Sequence, residues 1–208
     1  MAALTRPWVA VRLPGGVSFG GSQNWFRDEN FRRCGCGVVA CADTLLYLTG
    51  RNAPSREEYI DYVEGLRKYF PLVPRRGIDG LRLAVGMNLC LRREGLPLHG
   101  RWCGSARLFW QRLEEQLGAD LPAVVAIGPN FPRFWGAEQL PLYARTAAGY
   151  VESERTKAHF LTVTGEENGW LEVSSWGRRL YIRRDTWESY MRRASAPLLT
   201  NLLYLRRK

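Results

Sequence analysis

The spacing of apolar residues changes character near residue 119. Before it, apolar residues recur at helical spacing, and after it they form short runs separated by turn residues. The apolar residues that follow Cys36 predict a buried helix that begins there and ends at Gly50. Ser55 and Glu58 have the spacing of a capping box, which predicts the start of a second helix. Helices are therefore predicted at residues 36–50, 55–70, 79–93 and from 105 to about 117, whereas residues 1–33 predict loops with at most one short strand.

The second half of the chain predicts an antiparallel sheet. A loop rich in proline and aromatic residues is expected at 128–142, and Glu167-Asn168-Gly169 is typical of a hairpin turn. Strands are predicted at 121–127, 158–164, 170–174, 179–183 and 199–205, and a helix at 185–193. Helices followed by an antiparallel sheet indicate an α+β fold. The length suits a single domain over residues 1–208, with a helical lobe at about 34–118 and a sheet lobe at about 119–208.

Composition narrows the class of protein. A hydrophobic content of 46% and eight tryptophans indicate a globular chain. No apolar run is long enough for a membrane span and the N-terminus is a poor signal peptide, so a cytoplasmic location with no membrane partner is expected. The net charge of +10 comes mostly from arginines scattered along the sequence. That scatter favours a solvated surface, and nucleic acid is not the expected partner.

The five cysteines suggest thiol chemistry rather than disulfides. Cys34, Cys36 and Cys41 lie within eight residues, and Cys34 and Cys36 are too close for an unstrained bridge. A zinc site built from these with Cys90, Cys103 or a histidine is an alternative. The absence of paired Cys-x-x-Cys units argues against that alternative, so no metal and no cofactor are predicted.

One cysteine and one histidine have the context of a catalytic pair. Cys36 lies between Gly35 and Gly37 at the predicted helix start, where free N–H groups stabilise a thiolate and the glycines would let a substrate approach. His159 opens an apolar strand, whereas His99 lies in a predicted turn with no catalytic neighbours. Cys36 is therefore the candidate nucleophile and His159 the candidate base.

An oxyanion donor and a partner for the imidazole are also needed. Gln23 lies upstream in a glycine-rich loop, and its amide together with the Cys36 N–H are candidate oxyanion donors. Ser174 follows the strand after His159 and is the candidate acceptor for the imidazole N–H. Cys34 remains a rival nucleophile, with Cys36 preferred.

The order Gln23, Cys36-Gly37, His159 and Ser174-Ser175-Trp176-Gly177 resembles the papain-like cysteine peptidases. The segments CGVVACADTLLYLTG (36–50) and HFLTVTGEENGWLEVSSWG (159–177) are most similar to the bacterial double-glycine leader peptidases and their stand-alone relatives. The resemblance implies a papain-like fold, in which a helical lobe with the cysteine packs on an antiparallel sheet with the histidine. It also implies a cysteine peptidase or amide hydrolase that acts on a peptide or protein substrate through an acyl-enzyme. Trp176 would pack beside the histidine and, with Gly35 and Gly37, line the substrate cleft.

The sequence departs from this family at two positions. Ser174 stands where the family has Asn or Asp, so Glu172 or Asp185 are alternative acceptors for the imidazole. Asp43 stands where the family usually has an apolar residue, and it is interpreted as a buried, hydrogen-bonded core residue.

Other interpretations of the same residues stay open. A Cys–His pair also serves acyl or amine transfer, since the acyl-enzyme does not specify its acceptor. With serine as the orienting residue, the chain could instead be a catalytically degraded papain-like binding module. The aromatic residues Phe131, Phe134 and Trp135 are weaker candidates for lining the cleft.

Overall fold

The structure, a computed structural model, describes residues 2–128, 138–196 and 198–208. Over these residues the chain has an α+β fold with six α-helices, a nine-stranded sheet and a separate two-stranded hairpin. The α+β class predicted from the sequence is confirmed.

The four long helices of the first half lie close to their predicted positions, whereas the short helix Glu29–Cys34 occupies a segment that was predicted to be loop. Ser55 and Glu58 form a reciprocal capping box at the start of the second long helix, and the Asp79 carboxylate caps the third through the N–H of Arg82. Short 3-10 helices cover Gln23–Trp25, Arg67–Tyr69 and Ala106–Leu108. The α-helices are α1 (Glu29–Cys34), α2 (Cys36–Leu48), α3 (Arg56–Leu66), α4 (Gly80–Arg93), α5 (Phe109–Gly118) and α6 (Arg184–Arg193).

Each strand pairing in the two sheets is antiparallel. The strands are β1 (Ala2–Ala3), β2 (Ala10–Leu13), β3 (Gly16–Phe19), β4 (Leu98–Trp102), β5 (Ala123–Ile127), β6 (Leu140–Thr146), β7 (Gly149–Thr156), β8 (His159–Glu167), β9 (Trp170–Ser175), β10 (Arg178–Arg183) and β11 (Leu202–Arg207). The main sheet has the order β4-β11-β5-β8-β9-β10-β6-β7, with β1 added on β8, and β2 pairs with β3.

The central strands of the main sheet are buried on both faces, and their successive residues pack into different cores. Val124 belongs to the core that contains residues of α2, α3 and α4, whereas its neighbour Val125 belongs to the core that contains residues of α5 and α6. This arrangement follows from the two-residue period of a strand and explains why β5 is apolar at every position. Strand β8 therefore lies in the middle of the molecule, directly under the helix that begins at Cys36.

The predicted division into two lobes is wrong in detail. Strand β4 lies inside the predicted helical lobe but pairs with β11, and α5 packs on the sheet face opposite α2. Strands β4, β6 and β7 and the β2–β3 hairpin were not predicted, and Leu142 belongs to β6 rather than to a loop. No residue of β7 is fully buried, so hydrogen bonds to β6, and not an apolar pattern, define it.

The described residues bear on the predictions of free thiols and of no membrane-spanning segment. All five cysteines are free thiols; Cys36 is partly buried and the other four are buried. No helix in the described part of the chain combines the length and the apolar character that crossing a bilayer needs.

Candidate active site

Cys36 is the first residue of α2, as the sequence predicted. Gly35, the N-cap, offers no side chain to the free N–H groups of the first turn. Backbone N–H groups of Phe160, Gly37 and Cys36 itself act to lower the pKa of the thiol. Burial outweighs them and raises the pKa of the Cys36 thiol to about 11. The thiol is therefore neutral at rest, and it lies beside the strand that begins with His159.

His159 opens β8 and its ring is buried. Burial lowers the pKa of the imidazole to about 3, so the ring is uncharged near neutral pH. Its Nε2 lies 2.5 Å from Oγ of Ser175. No hydrogen bond between the imidazole and the Cys36 thiol is present in the described residues. His159 shares the face of β8 that bears Leu161, which packs in the core on the other side of the sheet from α2.

The imidazole partner is Ser175, and the prediction of Ser174 is wrong. Ser174 pairs with Thr162 in the β8–β9 ladder and shares its face, whereas the next residue, Ser175, shares the face of His159. The Ser174 hydroxyl instead donates to the carbonyl oxygen of Phe19 at 2.9 Å. Because side chains alternate along a strand, a shift of one residue decides which serine reaches the imidazole.

The Trp176 indole stacks on the imidazole ring of His159, as the sequence predicted for its packing. The ring centroids are 4.2 Å apart and the planes differ by 18°. Trp176 has a φ of 53°, an uncommon value for a bulky residue, at the tight turn between β9 and β10. The turn thus places the indole over the ring and shields it from solvent.

Gln23 is buried at the start of the first 3-10 helix, and its Nε2 donates to the carbonyl oxygen of Arg32 at 3.0 Å. Arg32 lies in α1, four residues before Cys36. The amide nitrogen has two hydrogens and this bond uses one of them. Gln23 is therefore held next to the segment that leads into α2.

The glycines on either side of Cys36 do not line a cleft, which corrects the sequence prediction. Both are buried. A Cβ on Gly35 would lie 2.6 Å from the carbonyl oxygen of Phe31, and one on Gly37 would lie 3.0 Å from Leu83 and 3.1 Å from Phe160. These glycines make room for the protein's own packing, which brings α2 against α1 and β8.

Residues 19–23, here named the N-terminal arm, link α2 to the turn beside the histidine. Phe19 N donates to the Gly177 carbonyl oxygen at 2.9 Å, and Gly177 N donates to that of Gly21 at 2.8 Å. Gly21 N in turn donates to both carboxylate oxygens of Asp43, each at 3.0 Å. The sequence interpretation of Asp43 as a buried, hydrogen-bonded residue is confirmed.

The alternative groups considered from the sequence lie elsewhere. Glu172 accepts a hydrogen bond from Thr164 at 2.8 Å, and Asp185 pairs with Arg183 at 2.6 Å, so neither carboxylate holds the imidazole. Cys34, the rival nucleophile, is buried. Phe131, Phe134 and Trp135 lie outside the described residues.

Candidate metal ligands and surface cavities can also be placed relative to Cys36. Within residues 2–128, 138–196 and 198–208, no three His, Cys, Asp or Glu side chains are grouped closely enough to hold a metal ion. Two surface cavities, of about 430 and 520 Å³, are lined by α6 and β6 residues and by residues around Asp120, away from Cys36.

Sequence reasoning missed the contributions of Ser175, Tyr59 and Gly21. Ser175 was visible as part of the Ser-Ser-Trp-Gly motif, but the choice between neighbouring serines depended on strand register. Nothing local in the sequence signals that Tyr59 and Gly21 meet at Asp43.

Comparison with known proteins gives no significant match to a family model, to a curated protein or to a solved structure.

Proposed function

We propose that the protein is a thiol hydrolase of papain-like arrangement, with Cys36 as nucleophile and His159 as general base. The observation that supports this most directly is the packing of the first turn of α2 on the start of β8, where a Cβ on Gly37 would lie 3.1 Å from the Phe160 ring. Gly37 follows Cys36, and Phe160 follows His159. A nucleophile at a helix N-terminus beside a base held by a third group is the arrangement that acyl transfer requires.

The orientation of the imidazole supports the assignment of the base. In the tautomer whose Nε2–H is donated to the Ser175 hydroxyl, the other nitrogen, Nδ1, carries a lone pair that can take a proton. Catalytic hydrogen bonds are often formed only when substrate is bound, so the lack of a resting hydrogen bond between Cys36 and His159 does not conflict with this role.

The charge state of the pair determines the order of the steps. Burial disfavours both an isolated thiolate and an isolated imidazolium, so the resting pair is neutral. His159 takes the Cys36 proton as sulfur attacks the carbonyl carbon of the substrate. A carbon–sulfur bond forms, and the carbonyl π electrons move to oxygen. His159 then returns the proton to the leaving amine as the carbon–nitrogen bond breaks.

The second half of the reaction uses the same groups. Water, deprotonated by His159, attacks the thioester and releases the acid, which restores the thiol. In both halves the developing oxyanion would be held by the Cys36 N–H and by the second amide hydrogen of Gln23. The substrate class is a peptide, a protein or a simpler amide, and no cofactor takes part.

Acylation by p-nitrophenyl acetate tests the proposal. The wild type should release a burst of one equivalent of p-nitrophenolate, and peptide mapping should find the acetyl group on Cys36. Cys36→Ser should abolish the burst and His159→Ala should slow it about 100-fold or more. Cys34→Ser, which removes the neighbouring buried thiol, should leave it unchanged.

The other outcomes separate the competing functions. Acetylation spread over several surface groups, with no burst at Cys36, would reject an enzyme and favour a binding module. Rapid deacylation by added amines but not by water would favour acyl transfer.

A further inference from the structure

The N-terminal arm is attached to α2 through a single buried carboxylate. Asp43 lies seven residues after Cys36, two helical turns further along the same face of α2. Its two oxygens accept from Gly21 N, and its Oδ1 also accepts from the Tyr59 hydroxyl at 2.7 Å. The residue is 2% exposed. A buried carboxylate with donors from two other segments fixes the separation of those segments.

The contact with Tyr59 leaves no space for a side chain at position 21. A Cβ on Gly21 would lie 1.9 Å from the Tyr59 hydroxyl oxygen, and Gly20 has a φ of 76°, which favours glycine. The Tyr59 ring also packs edge-on against Trp25, with centroids 5.6 Å apart. Gln23 therefore lies between two residues, Gly21 and Trp25, that are both held by the Asp43–Tyr59 pair.

The other end of the arm is attached to the turn that holds the histidine. Ser174 donates to the Phe19 carbonyl oxygen, and Gly177 exchanges two backbone hydrogen bonds with the arm. Between Ser174 and Gly177 lie Ser175 and Trp176, the two residues that contact His159. The arm thus connects the imidazole, through its turn, to the helix that begins with the thiol.

We propose that Asp43 is a positioning residue for the oxyanion site: through Gly21 and Tyr59 it fixes the Gln23 amide relative to Cys36. This inference rests on the proposed function. Its chemical consequence is specific, because Gln23 stabilises an oxyanion and does not change the thiol. Loss of Asp43 should therefore impair acyl transfer, which passes through an oxyanion, and spare alkylation by iodoacetamide, which does not.

The experiment compares these two reactions of Cys36 in the same preparations. Asp43→Ala should slow p-nitrophenyl acetate acylation at least about tenfold and change the alkylation rate at pH 9 less than about twofold. Asp43→Asn, which keeps one oxygen to accept from Gly21 N, should recover most of the acylation rate. Thr44→Val is the matched control: it removes a buried hydroxyl of the same helix that, among the described residues, bonds the Ala40 carbonyl oxygen, and it should change neither rate.

Each result decides between a positioning role and a purely structural one. Equal losses of acylation and alkylation, or no loss of acylation, would overturn the positioning role. If Asp43→Ala does not fold, Tyr59→Phe decides by the same criterion, with an expected acylation loss of about threefold at unchanged alkylation. A wild type that does not acylate at Cys36 would overturn the proposed function together with this inference, whereas a wild type and an Asp43→Ala variant that acylate equally would overturn only the inference.

Discussion

The Ser175 hydroxyl and the His159 imidazole lie 2.5 Å apart across neighbouring antiparallel strands. Ser175 lies opposite Leu161 by the ladder register, so it is the diagonal neighbour of His159 on the same face of the sheet. The contact joins a neutral hydroxyl to a neutral ring. A serine in this place can orient the imidazole but adds no charge to stabilise an imidazolium, and the rate of acyl transfer should reflect that.

Ser175→Ala should slow acylation of Cys36 by about fivefold to tenfold, since a neutral hydrogen bond contributes about 1 kcal/mol. The measurement is the p-nitrophenyl acetate burst rate. Thr164→Val is the control, because it removes another buried β-sheet hydroxyl that bonds Glu172 and not His159. Equal rates in wild type and Ser175→Ala would show that Ser175 does not orient the base.

Alkylation of Cys36 by iodoacetamide should increase with pH and show no plateau in the neutral range. The physical reason is burial, which raises the pKa of the thiol to about 11 and leaves little thiolate at pH 7. The rate, followed by peptide mapping between pH 5 and 10, reports the thiolate fraction. A pH-independent rate below pH 6 would instead reveal a resting thiolate–imidazolium pair and contradict the neutral pair.

Trp176→Ala should raise the pKa of His159 from about 3 toward the ordinary histidine value. The indole covers one face of the imidazole, and removing it lets water solvate the imidazolium. The C2–H chemical shift followed by NMR gives the pKa, with the signal assigned from His159→Gln. An unchanged pKa would mean that the sheet, rather than the indole, excludes water from the ring.

The wild type should lose stability on acidification more steeply than His159→Gln. Because burial lowers the folded-state pKa of His159 to about 3, between that pH and about 6.5 the unfolded chain binds a proton that the folded chain does not. Stability therefore falls as pH decreases through this window. Between pH 7 and 4.5 the difference between the two proteins should amount to about 2 kcal/mol in urea unfolding.

Asp43 affects the pH dependence of stability in the opposite direction, but it affects the wild type and His159→Gln equally. Burial raises the pKa of that carboxyl to about 7, so the folded state retains its proton where the unfolded state has lost it, and stability from this group falls as pH increases from about 4 to 7. Asp43 is present in both proteins and contributes equally. Parallel acid dependence of the two proteins would show that His159 is protonated in the folded state.

Local sequence patterns were sufficient to predict a helix or strand wherever one short segment contained the whole signal. The capping box at Ser55, the helix that begins at Cys36 and the strand that begins near His159 were each predicted within a few residues. Strand β7 could not be predicted in this way, because it has no buried apolar side and is held by pairing with β6. The role of the two glycines beside Cys36 could not be predicted either, because Phe31, Leu83 and Phe160, which pack around them, come from other parts of the chain.

By itself the sequence determined the α+β class and the placement of a cysteine at a helix start and of a histidine at a strand start. These features depend on periodicity and caps, which act over a few residues. Only the tertiary structure decided that Ser175 rather than Ser174 meets the imidazole, and that Asp43 and Tyr59 hold the N-terminal arm. Strand register and the meeting of residues far apart in the chain result from the packing of whole elements, so no local pattern contains them.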